Sequence, residues 1–211
     1  VRSKSTGQAV VVLVNDRGPF AKNRDGFIIA EGAGALVIES AEHAAARGAQ
    51  VYAWVLGAGM TSDAHHIAAP EPEGVGAASA MSMAVEDAGV SAADIVHVNA
   101  HATSTPVGDI AESKAIRRAF GDEADHMAVS GTKSLTGHLL GGAGAVESVF
   151  TVMALHDRTA PATANIETFD EAIQLDVVRD EVVHRPLESC VMLDSGILPI
   201  GVPDRVLEGL V

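Results

Sequence analysis

Apolar residues recur at three- and four-residue spacing over residues 74–88, at Val75, Ala78, Met81 and Val85. That spacing lines one face of a helix, and Gly89 stands where a C-cap is expected. The same period returns over residues 109–120, with Ile110, Ile116 and Phe120 on the apolar face and Gly121 at the end. A shorter helix is predicted over residues 41–47, closed by Gly48. Another long helix is predicted over residues 138–155, although Gly141, Gly142 and Gly144 fall inside it. Each glycine costs up to about 1 kcal/mol of helix propensity, so packing must hold that helix, and it is expected to be buried. Short runs at residues 27–30, 35–39, 51–57, 95–99 and 127–130 read as strands. Gly32-Ala33-Gly34 between the first two predicts a hairpin or a sharp bend. Beyond Val177 the chain is rich in Pro and Gly and patterns weakly. Strands alternating with helices indicate an α/β fold with a layered sheet.

Length and composition narrow this reading. A chain of 211 residues fits one domain with a sizeable core. It is 47% hydrophobic and 20% charged, the balance of a globular protein. Only 3% is aromatic, against 21 glycines, so small residues do much of the packing. A net charge of −14 argues against nucleic acid and anionic membrane surfaces as partners. The single Cys190 excludes an internal disulfide framework and fits a reducing compartment. No apolar run reaches membrane-spanning length, and the six apolar residues at 9–14 are too few for a secretory segment. The expected location is cytoplasmic.

Two segments carry chemistry. In the first, Val98-Asn-Ala-His-Ala-Thr-Ser-Thr-Pro-Val-Gly-Asp109, a strand ends and presents His101 at its C-terminal tip, where α/β folds bind ligands. Thr103 and Thr105 follow, and a helix opens near Asp109. His101 is there either as a general acid, base or hydrogen-bond donor, or merely as a cap on the turn. In the second, Ser130-Gly-Thr-Lys-Ser-Leu-Thr-Gly-His-Leu-Leu-Gly-Gly-Ala-Gly-Ala-Val-Glu147, Lys133 and His138 sit where a loop meets the glycine-rich helix. A helix N-terminus disfavours imidazolium, which would leave His138 neutral. Lys133 beside an apolar frame needs an acceptor, and Glu147 would be costly if buried alone.

Both segments closely resemble the elongating β-ketoacyl-acyl-carrier-protein synthases, the synthase II type of condensing enzyme in the thiolase-like superfamily. The family pattern Asn-Ala-His-Gly-Thr-x-Thr-Pro-x-Gly-Asp matches 99–109, and Thr-Lys-Ser-x-x-Gly-His-x-x-Gly-Ala-x-Gly-Ala-Val-Glu matches 132–147. Arg17-Gly-Pro-Phe-Ala-Lys-Asn-Arg-Asp-Gly-Phe27, Glu31-Gly-Ala-Gly34 and Thr61-Ser-Asp-Ala-His-His66 resemble further family segments. The likeness spans residues 15–190. Residues 1–14 do not match, and 191–211 read as a divergent tail, as in a fragmentary reading frame.

The resemblance implies a thiolase-like fold, here the C-terminal half of a layered α-β-α-β-α architecture lacking the final core strand. It implies decarboxylative Claisen condensation of an acyl thioester with malonyl carrier protein in fatty-acid biosynthesis. His101 and His138 would stabilise the enolate, Lys133 and Glu147 would order the site, and Thr103 and Thr105 would hold the pantetheine arm. Acyl carrier protein is the implied partner, phosphopantetheine arrives on it, no further cofactor is expected, and the family suggests a homodimer. Three departures are visible. The cysteine nucleophile belongs to the family's N-terminal half, so the chain by itself is expected to be inactive. Ala102 replaces a family glycine, and the Gly-Phe-Gly-Gly loop is absent from 191–201. The alternatives are a non-catalytic partner subunit and half of a polyketide ketosynthase. Cys190 reads as a core residue, not a substitute nucleophile. Asp63, His65, His66 and His97 match no specific zinc spacing, and no metal site is assigned. Arg117 and Arg118 could meet an acidic carrier protein, or be a solvated face.

Overall fold

The computed structural model describes residues 18–179, 181–184, 187, 189–193 and 197–201. The unmatched segment 1–14, Arg17 and residues 202–211 lie outside the described residues. In chain order the elements are α1 (Ala41–Ala46), β1 (Trp54–Val55), α2 (Val75–Ala88), β2 (His97–Asn99), α3 (Gly108–Phe120), β3 (Ala128–Ser130), α4 (Lys133–Thr136), α5 (Ala143–Asp157), β4 (Thr159–Ala160), β5 (Asp176–Val177), β6 (Val183–His184), β7 (Ser189–Leu193) and β8 (Ile197–Gly201). Six strands form one sheet in the order β1-β8-β7-β2-β3-β5, and β4 pairs with β6 separately.

The centre of the large sheet is parallel. β2 pairs with β3 and with β7, and β3 pairs with β5. Strand residues alternate between faces, and both faces are covered. Val98, Val129 and Val191 join Met81, Ile95, Ile116, Phe120 and Met127 in a core shared with α2 and α3. On the other face Ala128 and Cys190 pack with Ala154, Leu155 and Leu187, under α5. Each fully buried large side chain in these layers contributes about 1.5–3 kcal/mol.

The helices predicted from apolar spacing form at α2 and α3. Gly89, at φ +66°, takes the left-handed C-cap that a β-carbon would strain. Gly59 lets the chain after β1 lie against α2, where a β-carbon would collide with the Ala80 carbonyl. The predicted helix over 138–155 starts later, at Ala143. The backbone of His138 is already committed: its N–H donates to Ile28 O (2.8 Å) and its carbonyl accepts from Ala30 N (3.0 Å). Leu140 sits at φ +50°, outside α-helical space, as the first residue of a single 3₁₀ turn, Leu140–Gly142. α5 buries Glu147, Ser148, Thr151, Ala154 and Leu155 but leaves Met153 exposed.

Three strand expectations are corrected. Residues 27–30 and 35–39 form no hairpin; their one strand-like pairing is a bridge from Ile29 to His138. A strand requires a ladder of partners, and this ribbon has none among the described residues. The strand expected over 51–57 shortens to Trp54–Val55. The last core strand, expected to be lacking, is supplied by β8, which pairs antiparallel with both β7 and β1. β7 and β8 pair over five residues, from Ser189 with Gly201 to Leu193 with Ile197.

Among the described residues no helix is long and apolar enough to cross a membrane. The ribbon instead leaves an apolar face in water: Val37 is 86% exposed, Ile38 76% and Ile29 67%, beside Phe27 and Leu36. Such a face marks an interaction surface or an aggregation hazard. The protein is expected to bind a hydrophobic dye in its native state. The double variant Val37→Asp with Ile38→Lys lowers that fluorescence and shifts stability by no more than about 0.5 kcal/mol, because exposed side chains are lost. Dye titration alongside thermal melting checks both halves of this expectation.

Candidate active site

β2 and β3 end side by side, with Asn99 opposite Ser130. The loops that follow therefore leave the sheet together, at the C-terminal edge where α/β folds bind ligands. Ala100 N donates to Ser130 O (2.8 Å) and prolongs the pairing to the foot of the first loop.

That loop is strained and tightly held. Ala102 lies at φ +31° and Ser104 at φ +65°, left-handed values that strain an L residue. Ala102 is buried, so the methyl that replaces a family glycine is accommodated inside the fold. The Glu112 carboxylate accepts from His101 N (2.7 Å) and Ala102 N (2.8 Å), clamping the strained turn from the first turns of α3. Arg24, buried itself, donates to Thr105 O and Pro106 O (both 3.0 Å), to Ala21 O (2.8 Å) and to Asp170 Oδ2 (2.6 Å). Its Nε also lies 3.6 Å from Asp109 Oδ2. Asp109 accepts from Phe20 N (2.9 Å) and Thr105 N (3.2 Å). The hydroxyls of Thr103 and Thr105 are 3.1 Å apart. Sequence reasoning placed Glu112 and Arg24 in no role. The signal for Glu112 is its position one helical turn after Asp109, which puts both carboxylates under the same loop.

The second loop turns through α4. Lys133 is buried and its Nζ donates to both Glu147 oxygens, at 2.7 and 2.8 Å. The acceptor Lys133 needs and the partner Glu147 needs are each other. Thr132 Oγ1 lies 3.3 Å from Glu147 Oε1 and 3.1 Å from Asn99 Oδ1. Asn99 Nδ2 donates to Glu147 O (3.3 Å) and Thr151 Oγ1 (3.1 Å), tying β2 to α5.

His101 and His138 come together, ring centroids 5.3 Å apart and planes at 89°. Phe27 meets His138 edge-on at 5.2 Å. His138 does not stand at the start of α5, so the helix dipole does not set its state. A backbone contact does: Leu140 N donates to Nδ1 (3.2 Å). Nδ1 is thus the acceptor, and the ring of the neutral histidine carries its proton on Nε2. Both rings, with Thr103, Thr105 and Phe27, line a cleft of about 710 Å³. Lys133 and Glu147 lie outside its lining.

Of the other candidates, Asp63 and His66 also line this cleft, and Cys190, His97 and Arg117 do not. Cys190 is fully buried, and burial pushes its thiol far up from the usual range, so no nucleophile is available from it. His65 and His66 are exposed, while His97 is buried in β2. Among the described residues no three ligand-type side chains converge as a metal would require. Arg117 is engaged by Asp125 (2.5 Å) and Gln174 O (2.6 Å).

Residues 52–167 match the family described as beta-ketoacyl synthase, C-terminal domain. The chain belongs to that family. It is 51% identical over 163 residues to the 3-oxoacyl-[acyl-carrier-protein] synthase 2 of Staphylococcus aureus (strain COL), covering 77% of this chain and 39% of the relative. Over 172 residues it is 51% identical to the synthase 2 of Vibrio cholerae, covering 81% and 41%. The chain thus spans about two fifths of the length of the curated relatives it matches. A beta-ketoacyl synthase from Burkholderia phymatum superposes with a TM-score of 0.82 at 38% identity, over 88% of this chain and 46% of that one. A structure of a type II polyketide synthase acyl-carrier protein with its ketosynthase superposes with a TM-score of 0.88 at 32% identity, over 94% and 50%. The fold is thiolase-like, as the resemblance implied.

Two predictions follow from the charges under the synthase loops. Breaking the buried pair by Lys133→Met or Glu147→Gln alone costs about 3–5 kcal/mol, because the survivor stays buried without its partner. The double variant costs less than the sum, and a double-mutant cycle by urea unfolding reads the difference. Burial is the main cause that pushes Asp109 up to about 6 from 3.8; the Phe20 and Thr105 amides and Arg24 pull the other way, and Glu112 adds to the rise. The folded chain then holds this proton more tightly than the unfolded chain. Its contribution to stability is complete below about pH 4 and is lost as pH rises through 6. Relative to Asp109→Asn, the unaltered protein is expected to lose melting temperature between pH 4 and 7.

Proposed function

We propose that this chain furnishes the enolate-stabilising side of a β-ketoacyl-acyl-carrier-protein synthase acting in fatty-acid biosynthesis. The observation that carries the proposal is the perpendicular pair of imidazoles, His101 and His138, lining one cleft. In the condensation, malonyl carrier protein loses CO2 and the electrons of the broken C–C bond pass into an enolate. The enolate carbon attacks the acyl thioester on a cysteine, and the thiolate leaves. Two fixed N–H donors, His101 and His138, stabilise the enolate oxygen, which is the work an oxyanion hole does. Thr103 and Thr105 hold the pantetheine arm along the same wall. Lys133 and Glu147 act from beneath as positioning residues, since neither reaches the cleft lining.

The cysteine nucleophile belongs to the N-terminal half of the family's architecture, outside the matched segment. Acyl carrier protein brings the substrate on its phosphopantetheine, and the chemistry calls for no other cofactor. The names of the relatives and the carrier-protein complex of a neighbour support that partner. A homodimer is part of the same proposal. A second reading, a non-catalytic subunit that pairs with a complete synthase, draws on the exposed ribbon and on a ketosynthase/chain length factor pair among the neighbours.

The test gives malonyl carrier protein and an acyl donor to the chain alone and to the chain mixed with a cysteine-bearing half of a relative. Labelled CO2 and β-ketoacyl product are measured separately. The chain alone yields no condensation product, because the acyl-enzyme cannot form, and the mixture does. In the mixture, His101→Ala or His138→Ala lowers CO2 release about a hundredfold. Unchanged release in both variants would refute the roles given to the histidines, and product from the chain alone would return Cys190 to consideration.

A further inference from the structure

His97 takes no part in the proposed chemistry, yet three strands meet at its ring. It is fully buried on β2. Nδ1 lies 3.2 Å from Cys190 Sγ on β7, and Nε2 lies 3.0 Å from Ser130 Oγ on β3. Ser130 in turn donates to Pro161 O at 2.6 Å. A hydroxyl has one proton, and that bond uses it, so Ser130 can only accept from the imidazole. Nε2 therefore carries a hydrogen. In the neutral ring Nδ1 is then the acceptor, and it receives the Cys190 S–H. The polarity of the whole chain, Cys190 to His97 to Ser130 to Pro161, is set by the last bond.

The placement matters as much as the polarity. Cys190 is the register partner of His97, and Ser130 is the register partner of Asn99, two residues nearer the site. Ser130 is followed by Gly131, Thr132 and Lys133, and Asn99 by Ala100 and His101. A slip of β3 by one residue would turn Ser130 to the opposite face of the sheet and leave a buried donor unmatched, at the cost of a lost buried hydrogen bond.

We infer that His97 is a positioning residue: fixed as the Nε2–H tautomer, its ring locks β3 and β7 to β2 in the register that brings His138 beside His101. The inference about geometry stands on these contacts; its effect on turnover rests on the function proposed above.

The test uses the full chain labelled with 15N-histidine. The His97 nitrogens are expected to show the neutral Nε2–H pattern, and Ser130→Ala, which removes the acceptor, is expected to alter it. His97→Phe keeps an aromatic ring but loses both bonds. In that variant the ring-to-ring nuclear Overhauser contacts between His101 and His138 are lost, while those between Met81 and Ile116 persist. His97→Gln, whose amide can donate to Ser130 and accept from Cys190, restores the His101–His138 contacts. In the complemented assay His97→Phe lowers kcat about tenfold with little change in KM, and His97→Gln recovers it. A Nδ1–H tautomer, or unchanged His101–His138 contacts in His97→Phe, overturns the inference. If His97→Phe fails to fold, the tautomer pattern with and without Ser130→Ala, together with the Gln variant, decides it. If the contacts behave as expected while the unaltered protein releases no CO2 when complemented, the positioning stands and the functional reading falls.

Discussion

Asn99 faces Ser130 across two parallel strands, and nearly every feature of the site descends from that register. It releases both loops at one level of the sheet, so residues far apart in sequence converge without a long excursion of chain. It also sorts the polar residues. His97 and Asn99 fall on the α5 side, where Cys190, Glu147 and Thr151 receive them, while Val98 and Val129 fall on the side of α2 and α3. Because side chains alternate with a period of two, a slip of one residue would exchange these sets and put His97 and Asn99 against a methionine- and isoleucine-rich layer.

On this frame sit two buried charge clusters, one under each loop. Lys133 and Glu147 anchor the second loop, and Arg24 with Asp109 and Asp170 anchors the first. Buried ion pairs often add little net stability over apolar packing. Here Arg24 also holds the Ala21, Thr105 and Pro106 carbonyls, Asp109 the Phe20 and Thr105 amides, and Glu147 Oε1 lies 3.3 Å from the Thr132 hydroxyl, so the clusters fix loop geometry that apolar contacts would leave free to slide. The left-handed Ala102 is the clearest case. Its strain persists because Glu112 grips the amides on both sides of the His101 Cα–C unit.

Much of this was legible in the order of residues. α2 and α3 announce themselves by apolar spacing and by the glycines that end them, and β2 and β3 by short bulky runs ahead of the two chemical segments. Of the four residues expected at the site, His101 meets His138 and Lys133 meets Glu147, because strand-loop-helix order twice in succession leaves few other ways to fold. What local pattern could not show was competition for backbone. Residues 138–142 look like the start of a helix, but His138 has given its amide and carbonyl to Ile28 and Ala30. Residues 27–30 and 35–39 look like strands, yet no ladder partner lies beside them among the described residues, and their apolar side chains stay exposed. Arg24 and Glu112 were invisible for a related reason. Their partners are main-chain atoms 81 and 11 residues away, and a main-chain atom has no letter in the sequence.

The bridge between Ile29 and His138 joins two properties that would otherwise be independent. One strip of chain carries exposed Phe27 and Ile29 on its flank, and its peptide groups are the rail on which His138 is mounted. Any change that displaces the strip therefore displaces the imidazole with it, so the orientation of His138 is a property of residues more than a hundred positions away in sequence.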